Sequence, residues 1–313
     1  MKIPVIAVVG PTASGKTALG IALAKAFNGE IVSADSMQIY KGMDIATAMP
    51  TAAERAAAVH HLVDFLPPEH RFSVAEYVEL AGKTIQELAQ RGKTPIVVGG
   101  TGLYIDSLLG GIRFAEEAGD AKLRAALTAQ YDSLGGQALL QQLRLIDPDS
   151  ADRLHPNDKR RIVRALEIAQ LYGKSKTALD AASRTQESPY AVTWLGLDYP
   201  DRAVLYDRIE RRVDAMVQQG LLEEAAAAAR ADTTAAQAIG HKELFSYFDG
   251  EATLEQALEK LKRETRRYAK RQQTWFRRNA AIHWIDCCAN SPQAVIDCAV
   301  QLAMEAGFRK SAQ

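Results

Sequence analysis

The apolar and polar positions in the N-terminal third of the chain follow two alternating periods. Three short apolar runs are typical of buried strands: Ile3–Val9, Glu30–Asp35 and Thr94–Val98. The segment Lys16–Phe27 and the segment from Ser73 to Arg91 instead carry apolar residues at helical spacing, and Ser73 with Glu76 forms a capping-box pattern. Alternating strands and helices predict a parallel sheet with helices on both faces.

The pattern changes near Phe114. From there to Ser188 the strand signal is lost, and three segments have helical spacing: Lys122–Tyr131, Gly136–Ile146 and Lys159–Tyr172. Strand patterns return at Ala191–Asp198 and Ile282–Asp286, and the helices expected around them are Arg202–Gln219, Leu221–Arg230 and Leu254–Arg278. We therefore expect an α/β core formed by residues 1–113 and 189–313, interrupted by a helical insertion domain at 114–188 and ending in basic helices.

The residues directly after the first strand are typical of a phosphate-binding loop. They read G-x-x-x-x-G-K-T between a strand and a helix, and we expect all of them to hold a diphosphate: Gly10, Pro11, Thr12, Ala13, Ser14, Gly15, Lys16 and Thr17. The glycines permit the tight turn, Lys16 supplies a positive charge, and the Thr17 hydroxyl can ligate Mg²⁺. We therefore expect a P-loop fold for the core, although the loop alone does not identify the molecule that carries the diphosphate.

Polar residues also follow the other two strands of this first part. Asp35 ends the second strand, and Gly99–Gly102 with Thr101 ends the third. Ligands of open α/β sheets lie at the carboxyl ends of the strands, so Asp35 can orient Mg²⁺ through water or accept a proton from a nucleophile. A turn-capping role for Asp35 and a simple strand-to-helix turn at Thr101 are the alternatives.

Charge is balanced over the whole chain but not along it. The 313 residues include 38 Lys and Arg and 38 Asp and Glu, whereas 257–278 holds nine cations and two acids. A second basic cluster occupies Lys159–Arg164. These clusters indicate either a nucleic-acid contact or a solvated face. Trp275 can stack on bases or pack in the core.

Other features narrow the class of protein. The three cysteines match no zinc-site spacing, and no apolar run approaches the roughly 20 residues of a membrane span. The chain enters a strand at once, without a leader pattern. We expect a cytoplasmic protein without a membrane partner, and nothing in the sequence demands a dimer, so we expect a monomer.

Six motifs together resemble the tRNA dimethylallyltransferase family, also known as tRNA isopentenyltransferases or IPP transferases. They are Gly10–Thr17, Ser33–Tyr40, Gly99–Tyr104, Asn157–Glu167, Ala238–Glu243 and Lys270–Arg278. The resemblance extends over nearly the whole chain. It implies an enzyme that transfers a dimethylallyl group from dimethylallyl diphosphate to the exocyclic N6 amine of the adenosine 3′ of the anticodon. The tRNAs concerned read codons that begin with U, and diphosphate is released.

The resemblance also implies roles for individual residues. The P-loop would hold the prenyl donor, Lys16 and Arg212 would neutralise the leaving pyrophosphate, and Thr17 would ligate Mg²⁺. Asp35 would take or orient the amine proton and reach the metal through water, and Thr101 would lie in the reaction channel. Contacts to the tRNA anticodon stem-loop are implied for Asp35, Ser36, Met37, Gln38, Thr101, Arg124, Arg160, Arg161, Ile162, Val163, Arg164, Lys270, Arg271, Gln272, Trp275, Arg277 and Arg278.

Two places depart from the family pattern. Asp44–Pro50 carries Ala46 and Met49 where the family commonly has glycine and lysine, and His241 stands where tyrosine is frequent. If the loop needed a left-handed backbone at Ala46, it would be strained there.

Three other functions fit parts of the sequence. A small-molecule kinase would use the P-loop for ATP binding but has no need of two basic faces. A prenyltransferase acting on a free adenine nucleotide has no need of the basic C-terminal helix. A non-catalytic RNA-binding module would not need Lys16, Thr17 and Asp35 intact.

Overall fold

The computed structural model of the chain describes residues 2–112, 119–183, 187–229 and 235–311. Its described part contains a six-stranded parallel sheet with the strand order β3-β2-β4-β1-β5-β6. The strands are β1 Ile3–Val9, β2 Gly29–Ala34, β3 His60–His61, β4 Thr94–Gly99, β5 Tyr190–Asp198 and β6 Ile282–Asp286. The α/β fold with a parallel sheet is therefore confirmed.

The helices of the described part follow the strands in two groups. Those that accompany the sheet are α1 Lys16–Ala26, α2 Ala52–Ala57, α3 Val74–Gln90, α4 Gly102–Leu109, α10 Arg202–Gln218, α11 Leu221–Ala229, α12 Phe245–Phe248, α13 Leu254–Phe276 and α14 Pro292–Glu305. Those without strands are α5 Ala121–Leu134, α6 Gly136–Arg144, α7 Pro148–Arg153, α8 Lys159–Tyr172 and α9 Lys176–Ser183. No described helix is both long enough and apolar enough to span a bilayer.

The chain divides into two compact units, one of residues 1–109 and 188–313 and one of residues 110–187. The expected boundary between Arg113 and Phe114 lies outside the described residues. The smaller unit is all-helical in its described part and has its own apolar core, to which α5, α6 and α8 contribute Leu127, Leu139 and Leu166.

Helices cover both faces of the sheet in the larger unit. On β1, Val5, Ala7 and Val9 belong to the cluster that includes side chains of α3 and α4, whereas Ile6 and Val8 belong to the cluster with α1 and α14. All five are fully buried. A strand that is apolar on both faces is typical of a central parallel strand, and this is why its sequence reads as a continuous apolar run.

The strand order brings three loops to one edge of the sheet. β4 lies between β1 and β2, with Val8 opposite Val98 and Ala34 opposite Gly99. The segments that follow these three strands therefore begin side by side, at the carboxyl edge where ligands of α/β sheets bind. These segments are the P-loop, the stretch from Asp35 and the stretch from Gly100.

Several short elements were not predicted. The loop-rich stretch after β2 contains α2 and the two-residue strand β3, which pairs with β2 through Ile31 and His60. Two residues are too few to show a strand period. Helix α14 was also missed, although Ser291 caps it and Pro292 begins it, a pattern typical of a helix start.

Two glycine substitutions test the packing of the sheet edge. A Cβ on Gly99 would lie 2.2 Å from the Ala34 carbonyl oxygen, so Gly99→Ala should destabilise the protein by about 1–3 kcal/mol. Gly82 lies inside α3, and a Cβ there meets only the Tyr190 hydroxyl at 3.4 Å. Gly82→Ala should therefore stabilise by up to about 1 kcal/mol. Denaturant unfolding measures both, and equal effects would contradict this packing.

Candidate active site

Two carbonyl groups of the P-loop accept hydrogen bonds from side chains outside the loop. The Ala13 carbonyl accepts a hydrogen bond from Arg208 Nε at 2.9 Å, and the Ser14 carbonyl accepts one from the Tyr199 hydroxyl at 3.1 Å. Gly10 has φ 145°, and a Cβ there would lie 2.8 Å from the Leu197 carbonyl oxygen. Side chains from outside the loop thus hold its backbone in a conformation that glycine permits.

The N–H groups on the inner side of the loop remain available. Gly15 is the left-handed N-cap of α1, and the first turn of a helix has no intrahelical acceptors for its N–H groups. In the described part of the chain, no acceptor faces the N–H groups of Gly15, Lys16 and Thr17. Free amides at a helix N-terminus form an anion site, so the loop has the geometry needed to hold a phosphate group.

Two cations add to this positive potential. Lys16 Nζ donates to the Pro11 carbonyl at 2.6 Å, so the ammonium lies folded over the loop. Burial and, next, the Arg212 guanidinium lower the pKa of Lys16 to about 7, while Asp35 opposes the shift. Burial also lowers the pKa of Arg212, which has neither an ion pair nor a hydrogen bond within the described residues. Two crowded cations favour an anionic ligand between them.

The residues after β2 form a hydrogen-bonded turn around one carboxylate. Asp35 Oδ1 accepts from the N–H groups of Met37 at 2.9 Å and Gln38 at 3.3 Å, which fixes the direction of the carboxyl group. Thr101 Oγ1 accepts from the Ser36 N–H at 3.1 Å and thereby joins this turn to the segment after β4. The turn-capping alternative for Asp35 is therefore present, but it uses only one carboxylate oxygen.

The loop and the carboxylate line one cavity of about 950 Å³. Its polar lining includes Lys16, Thr17, Asp35 and Arg212, and its apolar lining includes Ile45, Met49, Val213, Met216 and Ile239. The volume lies at the upper end of the range for small-molecule sites, which is roughly 300–1,000 Å³. All lining residues belong to the larger unit. The structure thus brings the sequence-predicted diphosphate loop, Asp35 and Arg212 together.

Of Arg208, Arg211 and Arg212 on α10, Arg212 alone has no hydrogen bond or ion pair within the described residues, so it is free to meet a ligand. Arg208 is used on the Ala13 carbonyl and lies over the Tyr199 ring, with its guanidinium carbon 5.5 Å from the ring centroid. Arg211 forms an ion pair with Asp207. The supporting roles of Arg208 and Tyr199 have no local sequence signal, because their partner lies almost 200 positions earlier in the chain.

Residues 44–50 form a wall of the cavity, and the left-handed conformation considered for Ala46 lies elsewhere in this segment. Ala46 does not have a left-handed backbone; in this segment that conformation falls on Ala48, with φ 47°. Instead, Glu224 holds the segment by accepting the N–H groups of Ile45 at 2.7 Å and Ala46 at 2.9 Å. His241 Nε2 lies 2.8 Å from Glu224 Oε1, so the two departures from the family pattern share one carboxylate.

The basic helix α13 is less positive than its sequence indicates. Arg266 forms ion pairs with Glu210 and Glu259, and four further ion pairs neutralise neighbours on or after the helix: Lys262–Asp214, Arg263–Glu264, Arg267–Glu264 and Arg277–Asp198. In the described structure, Lys260, Lys270, Arg271 and Arg278 have no acidic partner, and Arg278 instead contacts Trp275. The uncompensated charge is therefore concentrated on few residues.

Three residues expected to contact tRNA from this segment are otherwise engaged. Arg277 binds Asp198, with 2.7 Å between Nη2 and Oδ2. Trp275 donates through Nε1 to Asp106 at 2.8 Å, and the Arg278 guanidinium covers its ring at 4.2 Å. Gln272 is buried and bonds to backbone groups. In the described structure, packing occupies the Gln272 side chain and the indole N–H of Trp275, so of the two alternatives for Trp275 the structure shows the packed one.

The basic cluster of α8 is also divided between core and surface. Ile162 and Val163 are buried in the apolar core of the smaller unit, so their side chains are not available on its surface. Glu167 is fully buried and accepts hydrogen bonds from Arg124 and Arg164. Burial alone would raise the pKa of Glu167, but these bonds hold it below its usual value. Arg160 and Arg161 are exposed, and Arg161 lies 3.9 Å from the Asp158 carboxylate.

The low pKa of Lys16 predicts proton uptake when an anion binds. Near pH 8 most Lys16 side chains of the free protein are neutral, and a bound diphosphate favours the charged form. Calorimetry of inorganic pyrophosphate binding at pH 8, in two buffers of different ionisation heat, should show up to about one more proton taken up than in Lys16→Met. Affinity should fall as pH rises above 7. Equal uptake in both proteins would contradict the shifted pKa.

Comparison with known proteins gives one consistent assignment. A family model described as IPP transferase matches residues 38–279, and one described as isopentenyl transferase matches residues 3–62. The chain is 47% identical over 289 residues to a tRNA dimethylallyltransferase of Halalkalibacterium halodurans, covering 91% of this chain and 92% of that protein. It is 48% identical over 288 residues to that of Bacillus subtilis, covering 91% of each.

Solved structures agree with the sequence relatives. The fold matches the crystal structure of a tRNA isopentenylpyrophosphate transferase from Bacillus halodurans with a TM-score of 0.72 and 43% identity, over 97% of each chain. It matches a eukaryotic dimethylallyltransferase described as acting on tRNA with a TM-score of 0.82 and 27% identity, over 99% of this chain and 81% of that chain. The P-loop, the Asp35 turn and the matched sequence together make this chain a member of the IPP transferase family.

Proposed function

We propose that this enzyme transfers a dimethylallyl group from dimethylallyl diphosphate to N6 of the adenosine 3′ of the anticodon. The acceptors are tRNAs that read codons beginning with U, and the second product is diphosphate. One observation carries the proposal: an anion cradle and a fixed carboxylate line the same cavity. Membership of the IPP transferase family and the printed names of the relatives support it.

The main barrier to this reaction is the separation of charge as the leaving group departs. The N6 lone pair forms a bond to C1 of the dimethylallyl group, and the C1–O bond breaks with its electron pair moving to the diphosphate. The free N–H groups of Gly15, Lys16 and Thr17 and the cations of Lys16 and Arg212 face this developing charge. Preorganised donors of this kind supply a large part of catalysis in many enzymes.

The same residues fit a magnesium ion. Magnesium usually takes one or two protein ligands, with the remaining positions filled by substrate phosphates and water. Thr17 has a hydroxyl without a partner in the described structure, and Asp35 has one carboxylate oxygen outside its turn. No cluster of three or more metal-ligating side chains exists among the described residues, which agrees with a site completed by substrate. Bound Mg²⁺ would supply further neutralisation of the diphosphate.

Asp35 serves the acceptor side of the reaction. The exocyclic amine of adenine is a poor nucleophile because its lone pair is delocalised into the ring. Loss of one N6 proton must accompany alkylation, and the Asp35 carboxylate, oriented by the Met37 and Gln38 N–H groups, can accept or direct it. The target base must leave its stack to enter the cavity, at a cost of a few kcal/mol. Thr101, hydrogen-bonded to Ser36, borders this turn.

Exposed cations provide the contact with tRNA. We assign the anticodon stem-loop to Lys270, Arg271 and Arg278 of the larger unit and to Arg160 and Arg161 of the smaller one, since backbone phosphates supply most of the affinity for such partners. We assign contacts with the target adenosine itself to Asp35, Ser36, Met37, Gln38 and Thr101. Because one chain supplies both the cradle and the carboxylate, we propose that a monomer acts, in the cytoplasm where tRNA is processed.

A transfer assay tests the function directly. Labelled dimethylallyl diphosphate with Mg²⁺ is offered with tRNA, with AMP or without acceptor, and ATP hydrolysis is measured in parallel. We expect label only in the tRNA, at the adenosine 3′ of the anticodon. Label in AMP would favour a free-nucleotide prenyltransferase, ATP turnover a kinase, and tRNA binding without any label a non-catalytic module; each would overturn the proposal.

In the same assay, Asp35→Asn removes the proton acceptor while keeping the side-chain size. Transfer should fall by about 10²–10⁴-fold, with tRNA binding unchanged. Asp64→Asn makes the same chemical change elsewhere in the cavity lining and should leave transfer near the wild-type rate. Unchanged transfer in Asp35→Asn would remove this residue from the chemistry.

The salt dependence of tRNA binding tests which cations of α13 contact the RNA and which are paired within the protein. Replacing both Lys270 and Arg271 by alanine should reduce the slope of log K for tRNA against log salt by roughly 1 per lost phosphate contact. Arg266→Ala removes a cation already paired with Glu210 and Glu259, so its slope should match the wild type. A slope that changes equally in both variants would contradict this division.

A further inference from the structure

Helix α13 touches two loops of the active site through one stripe of side chains. Tyr268, Gln272 and Trp275 follow one another at a spacing of four and three residues, which places them on the same helix face. The Tyr268 side chain lies near Thr101, and Trp275 Nε1 donates to Asp106 at 2.8 Å. Both contacts reach the segment that follows β4. Gln272, in the centre of the stripe, also reaches the P-loop.

The Gln272 amide uses both of its ends on backbone groups. Its Oε1 accepts the Thr12 N–H of the P-loop at 2.7 Å, and its Nε2 donates to the Gly100 carbonyl at 3.0 Å. The side chain is 5% exposed, so water does not compete for these groups. A buried amide with both ends satisfied fixes the distance between the two loops, because moving either loop would leave a buried polar group without a partner.

The helix approaches these loops as closely as glycine allows. A Cβ on Gly100 would lie 2.1 Å from Gln272 Nε2, and a Cβ on Gly102 would lie 2.3 Å from Trp275 Cδ1. A side chain at Gly100 would displace the Gln272 amide, and one at Gly102 would displace the Trp275 ring. The position of α13 and the shape of the loops are therefore mutually determined.

The same turns of α13 carry the exposed cations assigned above to tRNA. Lys270 and Arg271 directly precede Gln272 in sequence, and both are exposed while Ala269 and Gln272 are buried. The Arg271 guanidinium carbon lies 5.7 Å from the centroid of the Tyr268 ring, at the edge of the stripe. An RNA bound to these cations holds the helix segment whose buried side holds Thr12 and Gly100. One turn of helix thus contacts both the RNA site and the diphosphate site.

We propose that Gln272 is a positioning residue that couples binding of the anticodon stem-loop to binding of diphosphate in the P-loop. This inference rests on the proposed function, because it assigns tRNA to the outer face of α13. Ligands that favour the same position of a shared element bind cooperatively, and the coupling is reciprocal. RNA should therefore raise the affinity for diphosphate, and diphosphate should raise the affinity for RNA by the same factor.

Binding measurements without turnover test the coupling. The probes are inorganic pyrophosphate with Mg²⁺ and an RNA hairpin of anticodon stem-loop shape. In the wild type, saturating hairpin should tighten pyrophosphate binding at least about fivefold. In Gln272→Met, which keeps the size of the side chain but lacks both hydrogen-bonding ends, the factor should fall towards 1.

Two variants separate coupling from general damage. Gln273→Met makes the same change one position along, where the side-chain amide has no partner within the described chain, and should keep the wild-type factor. Gln272→Glu retains the acceptor for Thr12 but sets an anion beside the cradle and the Gly100 carbonyl. It should therefore weaken pyrophosphate binding even without RNA, an effect that remains measurable if the methionine variant does not fold.

The outcomes distinguish this inference from the proposed function. A wild type without cooperativity, a Gln272→Met variant that keeps it, or a Gln272→Glu variant with unchanged pyrophosphate affinity would overturn the coupling. Transfer in Gln272→Met should show a lower kcat, with a KM for tRNA that changes less, since the exposed cations remain. Absence of transfer by the wild type would instead overturn the proposed function and leave the binding measurement to decide the coupling separately.

Discussion

The active site depends on a set of positive groups that form no ion pair with an acidic side chain of the described residues. Gly15, Lys16 and Thr17, whose N–H groups have no acceptor in the described residues, line a cavity, and Arg212 has no acidic partner there. Burial and, next, the neighbouring Arg212 lower the pKa of Lys16, so a buried cation beside a second one is costly to hold. The arrangement persists because outside side chains, such as Arg208, fix the loop from behind. A bound diphosphate resolves this repulsion.

The second constraint is the strand order. Asp35 follows β2 and the P-loop with Lys16 follows β1, and only β4 lies between these two strands. Gly99 and Gly100, at the end of β4, allow the neighbouring segments to approach closely. A transfer reaction needs two reactants held in register, and a rigid sheet edge supplies this. The N–H groups of Met37 and Gln38 hold one oxygen of the Asp35 carboxylate, which fixes its direction.

Local patterns were sufficient to predict the main strands, the P-loop and the place of Asp35. They failed where the partner of a side chain lies far along the chain. Trp275 and Arg277 look available in a basic-aromatic motif, but Asp106 and Asp198 occupy them. Gln272 has the same appearance, and only the fold shows that it bonds to Thr12, 260 positions away. A charge run likewise does not show which cations are already paired, and β3 is too short to have a period.

The most direct test of the account is a structure of the enzyme with two bound substrates. The donor would be a dimethylallyl diphosphate analogue whose bridging oxygen is replaced by sulfur, together with Mg²⁺ and an anticodon stem-loop. We predict that the diphosphate contacts the N–H groups of Gly15 to Thr17 and the Arg212 guanidinium, with the adenine N6 between C1 of the analogue and the Asp35 carboxylate. A diphosphate bound away from the P-loop, or an adenine whose N6 faces away from Asp35, would contradict the account.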